Sequence, residues 1–83
     1  MPKSKRDLLK RQIAHAHNNI TLAIEHLAAV EAPFHDVHPE LAEAMQVSIV
    51  GLTEVKRVIE QFIVAAWGHM PDDWETWRNV GDK

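Results

Sequence analysis

Cysteine is missing from all 83 residues. No disulfide can therefore staple this chain, whose size is one at which small folds commonly need disulfides, metals or oligomerisation. Long apolar runs are missing as well. The longest uninterrupted one, Phe62 to Trp67, falls far short of the roughly 20 residues a membrane helix needs, and the opening MPKSKRDLLKRQ lacks the apolar run of a secretory signal. A soluble, cytoplasmic chain with no membrane partner is the expectation. There is also no Gly-x-Ser-x-Gly elbow, no phosphate loop and no paired helical carboxylates beside a pocket. A thin helical rod seldom contains a cleft of about 300 Å³ or more. The chain is expected not to be an enzyme and to need no cofactor.

What is present is apolar side chains at helical spacing. Apolar residues make up 46% of the chain and charged ones 25%, a balance that folds rather than stays disordered. From Glu40 to Trp67, the series Leu41, Met45, Ser48, Leu52, Val55, Ile59, Phe62 and Ala66 steps by four and three without a break, which lays one seam along a helix. Beside it run Ala44, Gly51, Val58 and Ala65, and Ile49, Ile63, Val50 and Val64 widen the surface further. A helix apolar over most of its circumference is buried on several sides. Upstream, Leu9, Ile13, Ala16, Ile20, Ala23, Leu27 and Val30 repeat the spacing, with Leu8, Leu22, Ile24 and Ala28 outside the seam.

Boundary signals frame these runs. Ser4 with Asp7 three residues later reads as a helix start. Pro33 disfavours helical geometry at Ala32, so the first helix is expected over residues 4 to 31 and a loop over 32 to 38. Pro39 suits the first turn of a second helix, 39 to 67, which Gly68 can close. Pro71 opens a third, 71 to 79, with Asp72, Asp73 and Glu75 in its first turn. Equal helices joined by a short link make an antiparallel hairpin. Folding about the middle of that loop sets residue i opposite about residue 71 − i and brings Leu9 to Phe62 and Leu27 to Ala44 and Met45. The expected fold is one all-α domain, residues 1 to 83: a long antiparallel helical hairpin plus a short carboxy-terminal helix, associating into a four-helix bundle as a homodimer or higher oligomer.

Such a rod has more apolar width than its two helices can cover. The expected oligomer interface is Leu22, Ala44, Ile49, Gly51, Val58, Ile63 and Ala65. Gly51, costing about 1 kcal/mol against alanine inside a helix, is expected to mark a place where another helix backbone approaches, the alternative being a tolerated weak spot or kink. Ser48 is expected to bond back to the carbonyl of Ala44. Trp74 and Trp77, three apart on one face, either cap the end of the bundle with Trp67, Met70 and Phe62 or, with Asp72 and Asp73, form a segment displayed to another protein.

Charge is uneven. Lys3, Lys5, Arg6, Lys10 and Arg11 stand against Asp7 in the first eleven residues, a balance of +4, while the other 72 carry four cations against eleven acids, −7. The basic start offers either a self-complementing tail or a sequence-blind contact to nucleic acid, although no aromatic residue interleaves it. Six histidines raise a metal reading. His15 and His17 diverge by about 200° on a helix; the useful spacing is His35 and His38, with Asp36 between them and Glu31 and Glu40 flanking. Turn and capping chemistry is the bland use of the same residues. Histidine could also sense pH, since its unperturbed pKa of about 6.5 lies in the physiological range. The functional expectation is a non-enzymatic interaction or assembly module whose partners are itself and another protein. A dimeric nucleic-acid-contacting regulator and a histidine-based metal-binding bundle are the alternatives.

Overall fold

A computed structural model describes residues 5–79. Three helices follow one another, with no strand among the described residues: α1 (Lys5–Val37), α2 (Pro39–Trp67) and the short α3 (Trp74–Arg78). α1 and α2 pack against each other and α3 returns onto α1, giving a rod of 55 × 25 × 19 Å. The Ser4 start signal lies outside the described residues.

The joint between the long helices differs from expectation. α1 does not stop at residue 31; it runs through Pro33 to Val37. Proline removes the donor that would reach Ala29, but Ala29 is exposed, so water can take that donor's place. The remaining cost, about 3 kcal/mol for an interior proline, is opposed by contacts on either side. Gln46 donates to Glu31 at 2.9 Å, and the His38 N–H donates to the Phe34 carbonyl at 2.8 Å. His38 is the whole connection. Its own carbonyl accepts from Leu41 and Ala42 at 3.0 and 3.1 Å, which starts α2, and Pro39 follows in the first turn, where its missing N–H leaves no bond unmade.

Moving the turn moves the register. His17 meets Glu60 and Glu31 meets Gln46, and in both pairs the residue numbers add to 77. Each residue is thus opposed about six positions further along α2 than a loop centred near residue 35 would place it, a slide of roughly 9 Å at 1.5 Å per residue.

The facing seam is turned as well. Apart from Glu60 on one flank and Trp67 at the last position, the positions of α2 that are buried or half-buried are Ala42, Met45, Ile49, Leu52, Lys56, Ile59, Ile63 and Ala66. They step by three and four, as did the expected seam, and share half its members. Leu41, Ser48, Val55 and Phe62 are exposed instead. The exchange puts two isoleucines inside in place of the Ser48 hydroxyl and the bulk of Phe62. Ser48 is left to bond back to the Ala44 carbonyl at 3.1 Å.

At the far end of α2, Gly68 takes a left-handed φ of 86°, open to glycine without strain, and its N–H donates to Val64 at 2.8 Å. α3 is shorter than expected. Asp73 caps it by accepting from the N–H groups of Glu75 and Thr76 at 3.1 and 3.3 Å, so the helix begins at Trp74, and Pro71 is buried in the link ahead of it.

Candidate interaction surface

The two long flanks of the hairpin are finished differently. Glu60 and Phe62 lie two residues apart on α2 and so point about 200° apart, which puts one on each flank. On the Glu60 flank, His17 is buried and its Nε2 lies 2.8 Å from the Glu60 carboxylate. The Trp74 ring stacks on the imidazole at 4.2 Å and 8° from parallel. Trp77 packs with Ala14 and Ile63 as the central cluster, and Ile13, Ile59, Trp67, Met70 and Trp74 surround it. Trp67 meets Trp77 edge-on at 5.1 Å; its indole N–H is buried with no hydrogen-bond partner.

That arrangement corrects the display reading of the carboxy-terminal segment. Trp77 is 8% exposed and Trp74 is committed to His17, so the indoles close the end of the hairpin. Asp73 is committed to its cap. Its carboxyl is held below the usual range by the Thr76 hydroxyl, the Thr76 and Glu75 N–H groups and the nearby Arg78 charge. Asp72 is exposed. The contact from His17 to Glu60 spans 43 positions and left no local mark in the sequence.

Basic residues at the start of α1 serve the same end. The Arg6 guanidinium donates to the Ala66 carbonyl and sits 5.1 Å from the centre of the Trp67 ring. It thereby supplies a donor and a positive charge to the last turn of α2, where free carbonyls collect negative potential. Lys10 lies 5.1 Å from the centre of the Trp77 ring. Two members of the expected nucleic-acid patch are therefore turned onto their own chain. Lys5 is exposed and Arg11 half-buried; Lys3 lies outside the described residues.

The histidines of the turn face different carboxylates. His35 approaches Glu31 at 3.4 Å and His38 approaches Glu40 at 3.7 Å, each with its own carboxylate. Among the described residues no group of three or more His, Cys, Asp or Glu side chains is placed to hold a metal ion.

The Phe62 flank is open. Leu9, Gln12, Ile13, Ala16, Phe62 and Trp67 line a groove of about 430 Å³ between the helices. Along α2 the groove continues into a stripe whose members are all exposed: Leu41, Ala44, Ser48, Gly51, Val55, Val58, Phe62 and Ala65. Val58 is 56% exposed and Phe62 54%, and a Cβ built on Gly51 would meet nothing within 4 Å. Of the expected oligomer interface, Ala44, Gly51, Val58 and Ala65 lie together here, and Leu22 is exposed on α1. Ile63 does not belong to it, being fully buried inside the chain, and Ile49 faces the in-chain seam half-buried. Leu41, Val55 and Phe62, read from the sequence as in-chain seam, join the outer surface. At its outer edge Arg57 grips Glu54 at 2.8 and 3.2 Å, which lowers the Glu54 carboxyl and raises the Arg57 guanidinium.

Compared with protein-family models, curated proteins and solved structures, the chain gives no match.

Proposed function

We propose that this chain is a non-enzymatic assembly module: a helical hairpin that associates with itself through its open flank to build a bundle of four or more helices. The observation that carries the reading is the imbalance between what is buried and what is not. Four apolar residues, Ala14, Ala42, Ile63 and Trp77, make up the buried hydrophobic core, while thirteen large apolar side chains among the described residues stay exposed. Soluble monomers rarely keep contiguous apolar patches beyond a few hundred Å², and each large aliphatic or aromatic side chain removed from water contributes about 1.5–3 kcal/mol. The exposed stripe of α2, from Leu41 to Ala65, runs roughly 36 Å at 1.5 Å per residue, a length that only another long element can cover.

The measurement is molar mass at micromolar concentration by light scattering or sedimentation equilibrium. The expected result is at least twice the 9.5 kDa of one chain. A compact, helical, lone subunit would overturn the reading. The alternative through nucleic acid has less support, because Arg6 and Lys10 are turned onto the chain's own carbonyl and indole rings.

A further inference from the structure

We infer that the occupant of the open flank is a second copy laid antiparallel to the first, about a twofold axis perpendicular to the rod that crosses α1 at Ala23 and α2 between Gly51 and Val55. The inference rests on the self-association proposed above and adds direction and register to it.

Side-chain size is the first argument. Reversing the exposed stripe of α2 about its midpoint pairs Leu41 with Ala65, Ala44 with Phe62, Ser48 with Val58, and Gly51 with Val55. Every layer then sets a larger side chain against a smaller one, the condition for interdigitation at native density.

The register within the chain is the second. Because α1 runs on through Pro33, its stripe continues past Val30 to Phe34 and Val37, which are 37% and 68% exposed. Ala23 is then the middle member, with Leu9 and Val37 at the two ends. Residue pairs adding to 77 put Ala23 level with residue 54, within about one residue of the α2 midpoint, a separation of roughly 1.5 Å. One axis therefore serves both helices, passing half-buried Ala23 on α1 and running between exposed Gly51 and Val55 on α2.

Charge is the third. Between Arg11 and Lys56 the chain has no lysine or arginine, and the hairpin tip carries Glu31, Asp36, Glu40 and Glu43. The other end of the rod is close to neutral: Lys5, Arg6, Lys10 and Arg11 stand there with Asp7 on α1, and Arg57 and Arg78 with Glu60, Asp72, Asp73 and Glu75 on α2 and α3. Antiparallel packing lays each nearly neutral end beside the other copy's acidic tip and keeps the two acidic tips apart. Parallel packing brings two sets of four carboxylates together, and like charges brought together across an interface select against that arrangement.

Native cysteine is absent, so single cysteines report contacts cleanly. The full chain is made as Ala23→Cys, Val37→Cys and Leu9→Cys, each checked for helicity and molar mass, then oxidised at micromolar concentration. A disulfide needs Cα atoms within about 7 Å. The expected result is a dimer in which A23C links to itself, V37C alone does not, and V37C mixed with L9C forms the mixed pair. Gly51→Cys mixed with Val55→Cys gives the same test on α2, should A23C perturb folding. A dimer in which V37C links to itself, or in which neither the A23C nor the G51C and V55C link forms, overturns the antiparallel arrangement and leaves self-association standing. A lone 9.5 kDa subunit overturns both.

Discussion

The two flanks of this hairpin carry similar apolar spacing and end in opposite states. One is closed near the open end by α3, where a stacked imidazole, a carboxylate and two indoles fit together. The other runs uncovered from Leu41 to Ala65. Reach explains the difference. Five residues of helix extend roughly 8 Å at 1.5 Å per residue, against a rod of 55 Å. Large aromatic rings let so short an element finish one end, since each buries on the order of 150–250 Å². Nothing of that length can cover the opposite flank.

Substitutions on the two flanks should therefore fail differently. The largest expected effect is Trp77→Ala on the covered side. Removing a core indole costs about 3–5 kcal/mol, so the urea midpoint should drop sharply and Ala14 and Ile63 should become accessible. A loss under about 1 kcal/mol would mean that α3 is not integral to the fold. Val58→Asp on the open side is next. It should leave helicity intact while weakening self-association by about 100-fold or more, because a carboxylate would be desolvated without a partner. If mass is unchanged and the urea midpoint falls instead, the comparison between the flanks is wrong.

Helix type and approximate extent were legible because spacing at 3.6 residues per turn is a local property of the chain. Which stripe faces which was not. Two series on α2, one through Leu41, Ser48, Val55 and Phe62 and the other through Ala42, Ile49, Lys56 and Ile63, have the same steps and share Met45, Leu52, Ile59 and Ala66. Periodicity cannot rank them. The choice depends on where α1 ends, and that turned on Pro33, whose usual breaking effect is absorbed at an exposed turn. The same few residues moved the register and so the pairing of every layer. Trp74 and Trp77 could be read as structural or displayed, and their fate was decided by His17, Ala14 and Ile63, which lie far away in sequence. The outer stripe through Ala44, Gly51, Val58 and Ala65 was legible because Gly51 and its small neighbours recur at seven-residue intervals, independently of how the hairpin turns.

A smaller effect sharpens the covered flank. His17→Ala removes the bond to Glu60 and the stack on Trp74 together, with an expected loss of about 2 kcal/mol, roughly 1 from each interaction. Glu60→Gln keeps the stack and a hydrogen bond but not the carboxylate charge, and should cost less than His17→Ala. Equal losses from the two variants would show that the stack contributes nothing measurable.

The smallest effect concerns the cap that starts α3. Asp73 is held below its ordinary pKa by the Thr76 hydroxyl first, then by the Thr76 and Glu75 N–H groups and Arg78, whereas in the unfolded chain it titrates near the reference value of about 3.9. On acidification the unfolded form binds its proton first, so the contribution of Asp73 is complete above that reference value and is lost as pH falls through the depressed folded value. Glu54, lowered by Arg57, titrates in the same window, so the readout must be local. Near-ultraviolet circular dichroism of the stacked tryptophans supplies it, since Trp74 and Trp77 follow Asp73 directly and no tryptophan ring pairs with Glu54. The wild-type signal should lose, below about pH 4, a component that depends on Asp73. Asp73→Ala should start lower and lose part of that acid dependence, whereas Glu54→Gln should leave the curve unmoved. An acid midpoint identical in wild type and Asp73→Ala would place the acid sensitivity of α3 elsewhere and detach the cap from the docking of the indoles.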